Sequence, residues 1–508
     1  MQESLFQLRG DFKAKVSKLN DYLWASGLKD PVSRVQQLSY LFFLKMLEEQ
    51  DVSREQEAKL TGQKHTSIYK GENEKYRWSS WIHRSGRDLY NFLRDEVFPF
   101  MENLNTGHES AQLIFQSARL LIPDEIVLRN VLDIVDGIRF TDLDADVKGD
   151  LYEDLLNQIQ AAGELGQFRT PRHIIRAIVA LVNPQVGQTI YDPAVGTGGF
   201  LLASYDWIRL QNSDPKNIKE ENGIRRGPGD KLSPTQWEFL NSETFYGQDV
   251  DPDMVRIAVM NLFLHGIENS NIKRKDTVAG SETDDDLRQF DIILTNPPFA
   301  GKIDKERIKK SLPVKSTDTT VLFLGHLIDS LKTNGKAGMI VNEGLLFGRN
   351  RDNVEIRKYL LDKTELKAVV SLPQGVFNPY AGVKTSFLIF ENNGKKTDKV
   401  WFYEVENDGL SKGTQRKPID KNDLPHLLER WEQIKKNRAA QSEASAKDWT
   451  AERKVIEEND YILSASAYKP GIGGGGEEHR EPKEILKEIE GLEIELENQK
   501  NKIKELLK

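Results

Sequence analysis

The chain has 508 residues and no cysteine. No disulfide can form and no metal site can use a thiolate. That excludes a small cross-linked secreted scaffold and fits a reducing compartment. Long apolar runs are also missing, and none approaches the roughly 18 residues of a membrane-spanning helix. The opening Met1-Gln-Glu-Ser-Leu5 lacks a cationic stretch followed by an apolar one, so no export signal is expected. A basic excess is absent too: 71 Lys and Arg stand against 79 Asp and Glu, a net charge of −8. A chain that grips nucleic acid alone usually carries surplus cations, because phosphate neutralisation supplies most of the affinity. Any such contact here must be a local patch or be shared with a partner. No Gly-x4-Gly-Lys-Ser/Thr occurs, so ATP hydrolysis is not expected. The 8 histidines include no His-Glu-x-x-His pair, and no metal is expected.

What is present is a hydrophobic fraction of 38% beside a charged fraction of 30%, enough for a sizeable core. The length suggests about three domains. Residues 1–150 are expected to form a helical domain. Val35, Leu38, Leu41, Phe42 and Met46 recur at helical spacing, and Gly and Pro are sparse. Trp78 and Trp81 flank a short polar turn and are expected to pack in that core. Over 151–410 the pattern changes to short runs rich in β-branched and aromatic residues between helical stretches. Thr189-Ile-Tyr, Thr244-Phe-Tyr, Phe290-Asp-Ile-Ile-Leu, Ala337-Gly-Met-Ile-Val, Ala368-Val-Val and Thr385-Ser-Phe-Leu-Ile-Phe are such runs. This alternation predicts an α/β domain with a parallel sheet. Polar residues 212–243, containing Gly227-Pro-Gly, read as a surface excursion between the first two strands. Residues 411–470 form a connecting region, 471–476 a glycine hinge, and 477–508 a helix. In that helix Ile485, Ile489, Leu492, Leu496, Gln499, Ile503 and Leu506 follow steps of four and three, a heptad seam interrupted by Gln499. Three heptads alone are marginal, so a partner helix is expected, with folding back on the same chain as the alternative.

Three segments carry chemistry. Asp192-Pro-Ala-Val-Gly-Thr-Gly-Gly-Phe200 follows a predicted strand, and its glycines let backbone approach a ligand closely. Alone, a glycine-rich turn is weak evidence. Asp249, at the end of the next strand, could accept from both hydroxyls of a ribose, or be a solvated turn residue. The 57 residues separating it from Asp192 are accounted for by the 212–243 excursion. Asn296-Pro-Pro-Phe299 places an amide at the tip of a buried strand. An exocyclic amine conjugated to a ring is a poor nucleophile. The Asn296 side-chain oxygen and the Pro297 carbonyl can accept its two hydrogens and localise the lone pair on nitrogen. Pro297 and Pro298 stiffen the loop, and Phe299 offers a face for a base.

The ordered set Gln167-Phe-Arg-Thr-Pro-Arg172, Asp192 to Phe200, Asp249, Asp276 and Asn296 to Phe299 resembles the amino-DNA methyltransferases of the gamma arrangement. More closely, the chain resembles the modification (M) subunits of type I restriction–modification systems. The resemblance covers nearly the whole chain, including Val321 to Phe347, Ser371 to Ser386 and Glu458-Asn-Asp-Tyr461. It implies a Rossmann-like S-adenosylmethionine-dependent methyltransferase sheet with an all-helical N-terminal domain and a C-terminal helical tail. It implies methyl transfer to N6 of a flipped adenine in double-stranded DNA. Gln167, Phe168, Arg169, Thr170, Pro171 and Arg172 would contact the methionine part of S-adenosyl-L-methionine. Asp192 and Gly196, Thr197, Gly198 and Gly199 would lie near its amino-acid part. Asp249 would hold its ribose and Asp276 its adenine, while Asn296 to Phe299 would hold the target adenine. The implied partners are a specificity (S) subunit, a second copy of the chain and a restriction (R) subunit, in a bacterial or archaeal cytoplasm. Position 249 is aspartate where the family more often has glutamate, and position 195 is valine in a turn of variable composition.

No large extra domain able to read several base pairs is apparent, so sequence reading is expected to be delegated to the S subunit, in line with the charge of −8. One local patch, Lys302, Lys305, Arg307, Lys309, Lys310 and Lys315 against Asp304 and Glu306, is a candidate contact to DNA phosphates. Rival readings are a methyltransferase acting on RNA guanine N2 or a protein glutamine, a solitary methylase or fused endonuclease, and a silent assembly scaffold.

Overall fold

The computed structural model describes residues 2–61, 66–104, 109–143, 145–161, 170–221, 223–281, 288–299, 301–378, 382–413, 416–436 and 446–470. The glycine hinge and the heptad helix lie outside these residues. Among them, no helix is long and apolar enough to cross a membrane.

The first part is helical. Its long Pro31–Thr61 helix starts with proline, which needs no donor there, and the Asp30 carboxylate accepts from the Ser33 amide at 2.7 Å. Val35, Leu38, Leu41, Phe42 and Met46 are all buried on this helix. Trp78 and Trp81 are core residues, edge to face at 4.8 Å, and the Trp78 indole N–H is bound to Asp136.

A nine-stranded sheet follows. In chain order its strands are β1 (Ile190–Asp192), β2 (Phe245–Asp249), β3 (Asn271–Arg274), β4 (Phe290–Thr295), β5 (Leu331–Asn342), β6 (Glu365–Ser371), β7 (Thr385–Asn392), β8 (Lys399–Glu404) and β9 (Asp448–Glu452). Their spatial order is β9-β8-β6-β7-β5-β4-β1-β2-β3. The sheet is mixed rather than purely parallel. β7 runs against both β5 and β6, and β9 against β8. A parallel return generally needs a crossover helix, and residues 372–384 contain none among those described, so β7 comes back antiparallel.

The 212–243 excursion is partly docked. It holds the hairpin Lys219–Glu221/Ile224–Arg226 and the helix Pro234–Ser242. Arg226 pairs with Asp150 at 2.6 Å on the Ala145–Ala161 helix. A Cβ at Gly227 would stand 2.3 Å from the Ser213 hydroxyl, so a side chain there would strike its neighbour.

Two hydrophobic clusters cover the two faces of the sheet, and one of them runs unbroken from Phe12 to Ile434. The helical part is therefore fused to the sheet part. The joint is the Pro252–Leu264 helix, whose Phe263 lies 4.7 Å from Phe43. Two residues on, the His265 ring packs so tightly against Gly149 that a Cβ there would sit 2.2 Å away.

Candidate active site

The chain order reverses beside β1: β2 and β3 lie on one side and β4 on the other. In such sheets ligands bind outside the carboxyl ends of the strands where the order reverses. A cavity of 440 Å³ opens there. Its lining comes from the segments leaving four adjacent strands: Pro193, Ala194 and Gly196 after β1, Asp249 and Val250 at β2, Lys275 to Val278 after β3, and Asn296, Pro297 and Pro298 after β4.

Asp192 closes β1 and is buried. Its carboxylate accepts from the Thr295 hydroxyl at 2.6 Å and the Ala194 amide at 3.1 Å. Burial pushes it up to about 7, with the nearby Asp249 charge adding to the rise and those two hydrogen bonds opposing it. Asp249 is raised by burial as well, against amide donors from Asp251 at 2.9 Å and Gly196 at 3.0 Å. Gly196 and Gly198 have φ of 50° and 82°, a region that strains residues with a Cβ. The Thr197 carbonyl between them is held at 2.8 Å by the fully buried Asn261 amide. Gly199 begins the next helix against Ile175. The Asp276 carboxylate accepts from the amides of Val278 and Ala279.

Asn296 donates its Nδ2 to the Thr170 hydroxyl at 2.9 Å. Its Oδ1 is shielded from solvent and has no hydrogen-bond partner among the described residues. Such an atom carries a cost comparable to a lost hydrogen bond, so its persistence needs a reason. The carbonyls of Pro298 and Phe299 are occupied. Pro298 O accepts from Thr319 and Thr320 at 3.2 and 3.4 Å, and Phe299 O accepts from Asn342 at 3.1 Å.

Several expected residues are placed differently. Gln167, Phe168 and Arg169 lie outside the described residues. Pro171 introduces the Arg172–Val182 helix. Arg172 turns away from the cavity into ion pairs with the buried Glu153 and the partly exposed Asp150 on the Ala145–Ala161 helix. Phe299 does not line the cavity. Its ring stands edge-on to Phe377 at 5.5 Å and 85° and is 8% exposed, so little of its face is open to a base. Lys302, Lys305 and Lys310 are exposed, whereas Lys309 is 4% exposed with its ammonium on the carbonyls of Asp276 and Thr277. That inward turn removes Lys309 from the candidate phosphate contacts.

Sequence reading missed Thr295, Asn261, Thr319, Thr320 and Asn342. Each acts on a site residue far away in the chain, and single threonines and asparagines give no spacing signal. Among the described residues no three His, Asp or Glu side chains are placed to hold a metal ion.

Residues 143–472 match the model of the N-6 DNA Methylase family, and residues 12–135 match that of the HsdM N-terminal domain. The chain is 28% identical over 496 residues to the type I restriction enzyme EcoEI methylase subunit of Escherichia coli, covering 95% of this chain and 94% of that one. It is 30% identical over 434 residues to the StySPI methylase subunit of Salmonella potsdam, covering 82% and 74%. Among solved structures, a chain of a type I R-M system described for its complex assembly and conformational transition matches at a TM-score of 0.69 and 28% identity, covering 96% and 98%. A modification subunit of a putative type I restriction enzyme from Vibrio vulnificus YJ016 matches at 0.71 and 25%, covering 87% and 93%.

Proposed function

The chain belongs to the N-6 DNA methylase family, as a type I restriction–modification methylase subunit, and on that footing we propose how its residues methylate N6 of adenine in DNA. The observation that carries the proposal is the buried, unpartnered Asn296 Oδ1 at the rim of a cavity walled by Asp249 and Asp276.

The cavity fits S-adenosyl-L-methionine. Two carboxylates, a glycine turn at positive φ and an open acceptor are what a charged amino acid joined to a nucleoside calls for. Asp249 would accept from the ribose hydroxyls, Asp276 from the adenine amine, and Asp192 with the Gly196–Gly199 turn would face the amino-acid end. When bound, the cofactor supplies an electrophilic methyl group on sulfur.

Asn296 Oδ1 and the Pro297 carbonyl accept the two hydrogens of the target amine. This draws the nitrogen toward tetrahedral geometry and localises its lone pair. The loop reaches N6 only of an adenine that has left the duplex stack. Thr170 fixes the Asn296 amide. Thr319, Thr320 and Asn342 fix the two carbonyls that follow. The acceptors are thus set before the base arrives, and positioning supplies most of the acceleration.

Double-stranded DNA is the substrate in this reading. Lys302, Lys305 and Lys310 contact its phosphates, and an S subunit reads the sequence. A second copy of the chain and an R subunit complete the assembly, with residues 477–508 as the assembly helix.

The test is labelled methyl transfer to unmodified DNA by the chain purified with its partners, beside Asn296→Ala. N6-methyladenine that falls by at least two orders of magnitude in the variant, with cofactor binding retained, is expected. Equal activity of the variant, or label found only in RNA or protein, would overturn the reading.

A further inference from the structure

The cationic segment after the target loop is stitched down on both sides. At its start the Ile303 amide donates to the Thr317 carbonyl at 2.9 Å, and the Thr319 amide to the Gly301 carbonyl at 3.1 Å. At its end, Arg307 to Lys309 run antiparallel to Val278 to Gly280. The Gly280 amide donates to Arg307 O at 2.8 Å and the Lys309 amide to Val278 O at 3.1 Å. Lys309 then sends its side chain inward. Its Nζ lies 2.8 Å from the carbonyls of both Asp276 and Thr277, two residues of the cavity wall. Lys302, Lys305 and Lys310 stay exposed on the outside, and the exposed Arg307 guanidinium lies 3.9 Å from the Asp276 carboxylate. A 14-residue run that looks like a uniform charge patch is thus two things: outer cations and one buried anchor.

We propose that Lys309 is a positioning residue that makes the Asp276 turn and the outer cationic strand one mechanical piece, so that DNA held by the outer cations and cofactor held by Asp276 are energetically coupled. The proposal rests on the reading of Asp276 as the cofactor's adenine acceptor. An ammonium between two carbonyls makes charge-assisted bonds, stronger than neutral ones. Removing it takes the donor from the buried Thr277 carbonyl and the part-buried Asp276 carbonyl, and the buried one regains a partner only if the turn moves. Movement of that turn displaces the Asp276 carboxylate. Coupling of this kind is reciprocal: whatever DNA does to cofactor affinity, cofactor does to DNA affinity.

The experiment is calorimetric titration of S-adenosylhomocysteine into the full chain in its DNA-binding complex, with and without a duplex. Lys309→Met is expected to weaken binding roughly ten-fold without DNA and to erase the change in affinity that the duplex causes. Lys309→Arg, which keeps donors at that position, restores most of the affinity. The salt slope of DNA binding stays as in the unaltered protein for Lys309→Met and falls for the pair Lys305→Glu and Lys310→Glu. Wild-type affinity and coupling in Lys309→Met overturn the inference, as does an equal loss in Lys309→Arg and Lys309→Met. Asp276→Ala separates the two readings. If it binds S-adenosylhomocysteine normally, the cofactor assignment of Asp276 is wrong. If it binds poorly while Lys309→Met binds normally, only the coupling is wrong.

Discussion

Asp192 shows what burial does to a site carboxylate. Raised to about 7, it keeps a proton in the folded chain over a range where the unfolded chain has lost it. Its contribution to stability is therefore full below the ordinary carboxylate value and is lost as pH rises through about 7. Asp192→Asn, which keeps the shape and cannot ionise, is expected to melt higher than the unaltered chain at pH 8 and by a smaller margin at pH 5, the gap closing only below the ordinary carboxylate range. Scanning calorimetry at both pH values checks this, and a difference that does not change with pH counts against it. Asp192, Asp249 and Asn296 were legible in the sequence because each ends a strand run within a motif. Asn261 and Lys309 were not. The first holds the Thr197 carbonyl from 64 residues away, and the second lies in a charge run whose members look alike until burial separates them.

Among elements, the Asn296–Phe299 loop is tied to its neighbours by hydrogen bonds from Thr319, Thr320 and Asn342. Asn342 ends β5, caps the following turn through the Leu345 amide at 2.9 Å, and binds the Phe299 carbonyl with the same side chain. Asn342→Ala should let the loop drift, and displacements near 1 Å at a reacting centre can cost about a hundred-fold in rate. The expected outcome is a ten-fold or greater fall in single-turnover methylation with little change in S-adenosylhomocysteine affinity. Equal losses in both would place Asn342 in folding rather than loop positioning. The strands themselves were legible from β-branched and aromatic runs. Their direction was not: Thr385 to Phe390 is buried on both faces, and such a run reads the same in either sense. The direction of β7 goes with its short connection to β6, which holds no helix among the described residues.

At the scale of the whole molecule, the helical part and the sheet part share one core. Phe43→Ala, facing Phe263, is expected to cost about 3–5 kcal/mol and to lower the melting of both parts together. Calorimetry beside helix-sensitive and tryptophan signals tests this, and two separated transitions would contradict a shared core. The helical character of residues 1–150 was legible from spacing, whereas its fusion through the Pro252–Leu264 helix was not, because periodicity tells which face is apolar and not what covers it. The fusion also bears on inheritance. The two family matches meet between residues 135 and 143, an inviting crossover point for recombination between relatives. A hybrid cut there would bring Phe43 from one parent against position 263 from the other. A ring of different size at either position would open or crowd the shared core, so the two halves are under pressure to descend together as a single locus.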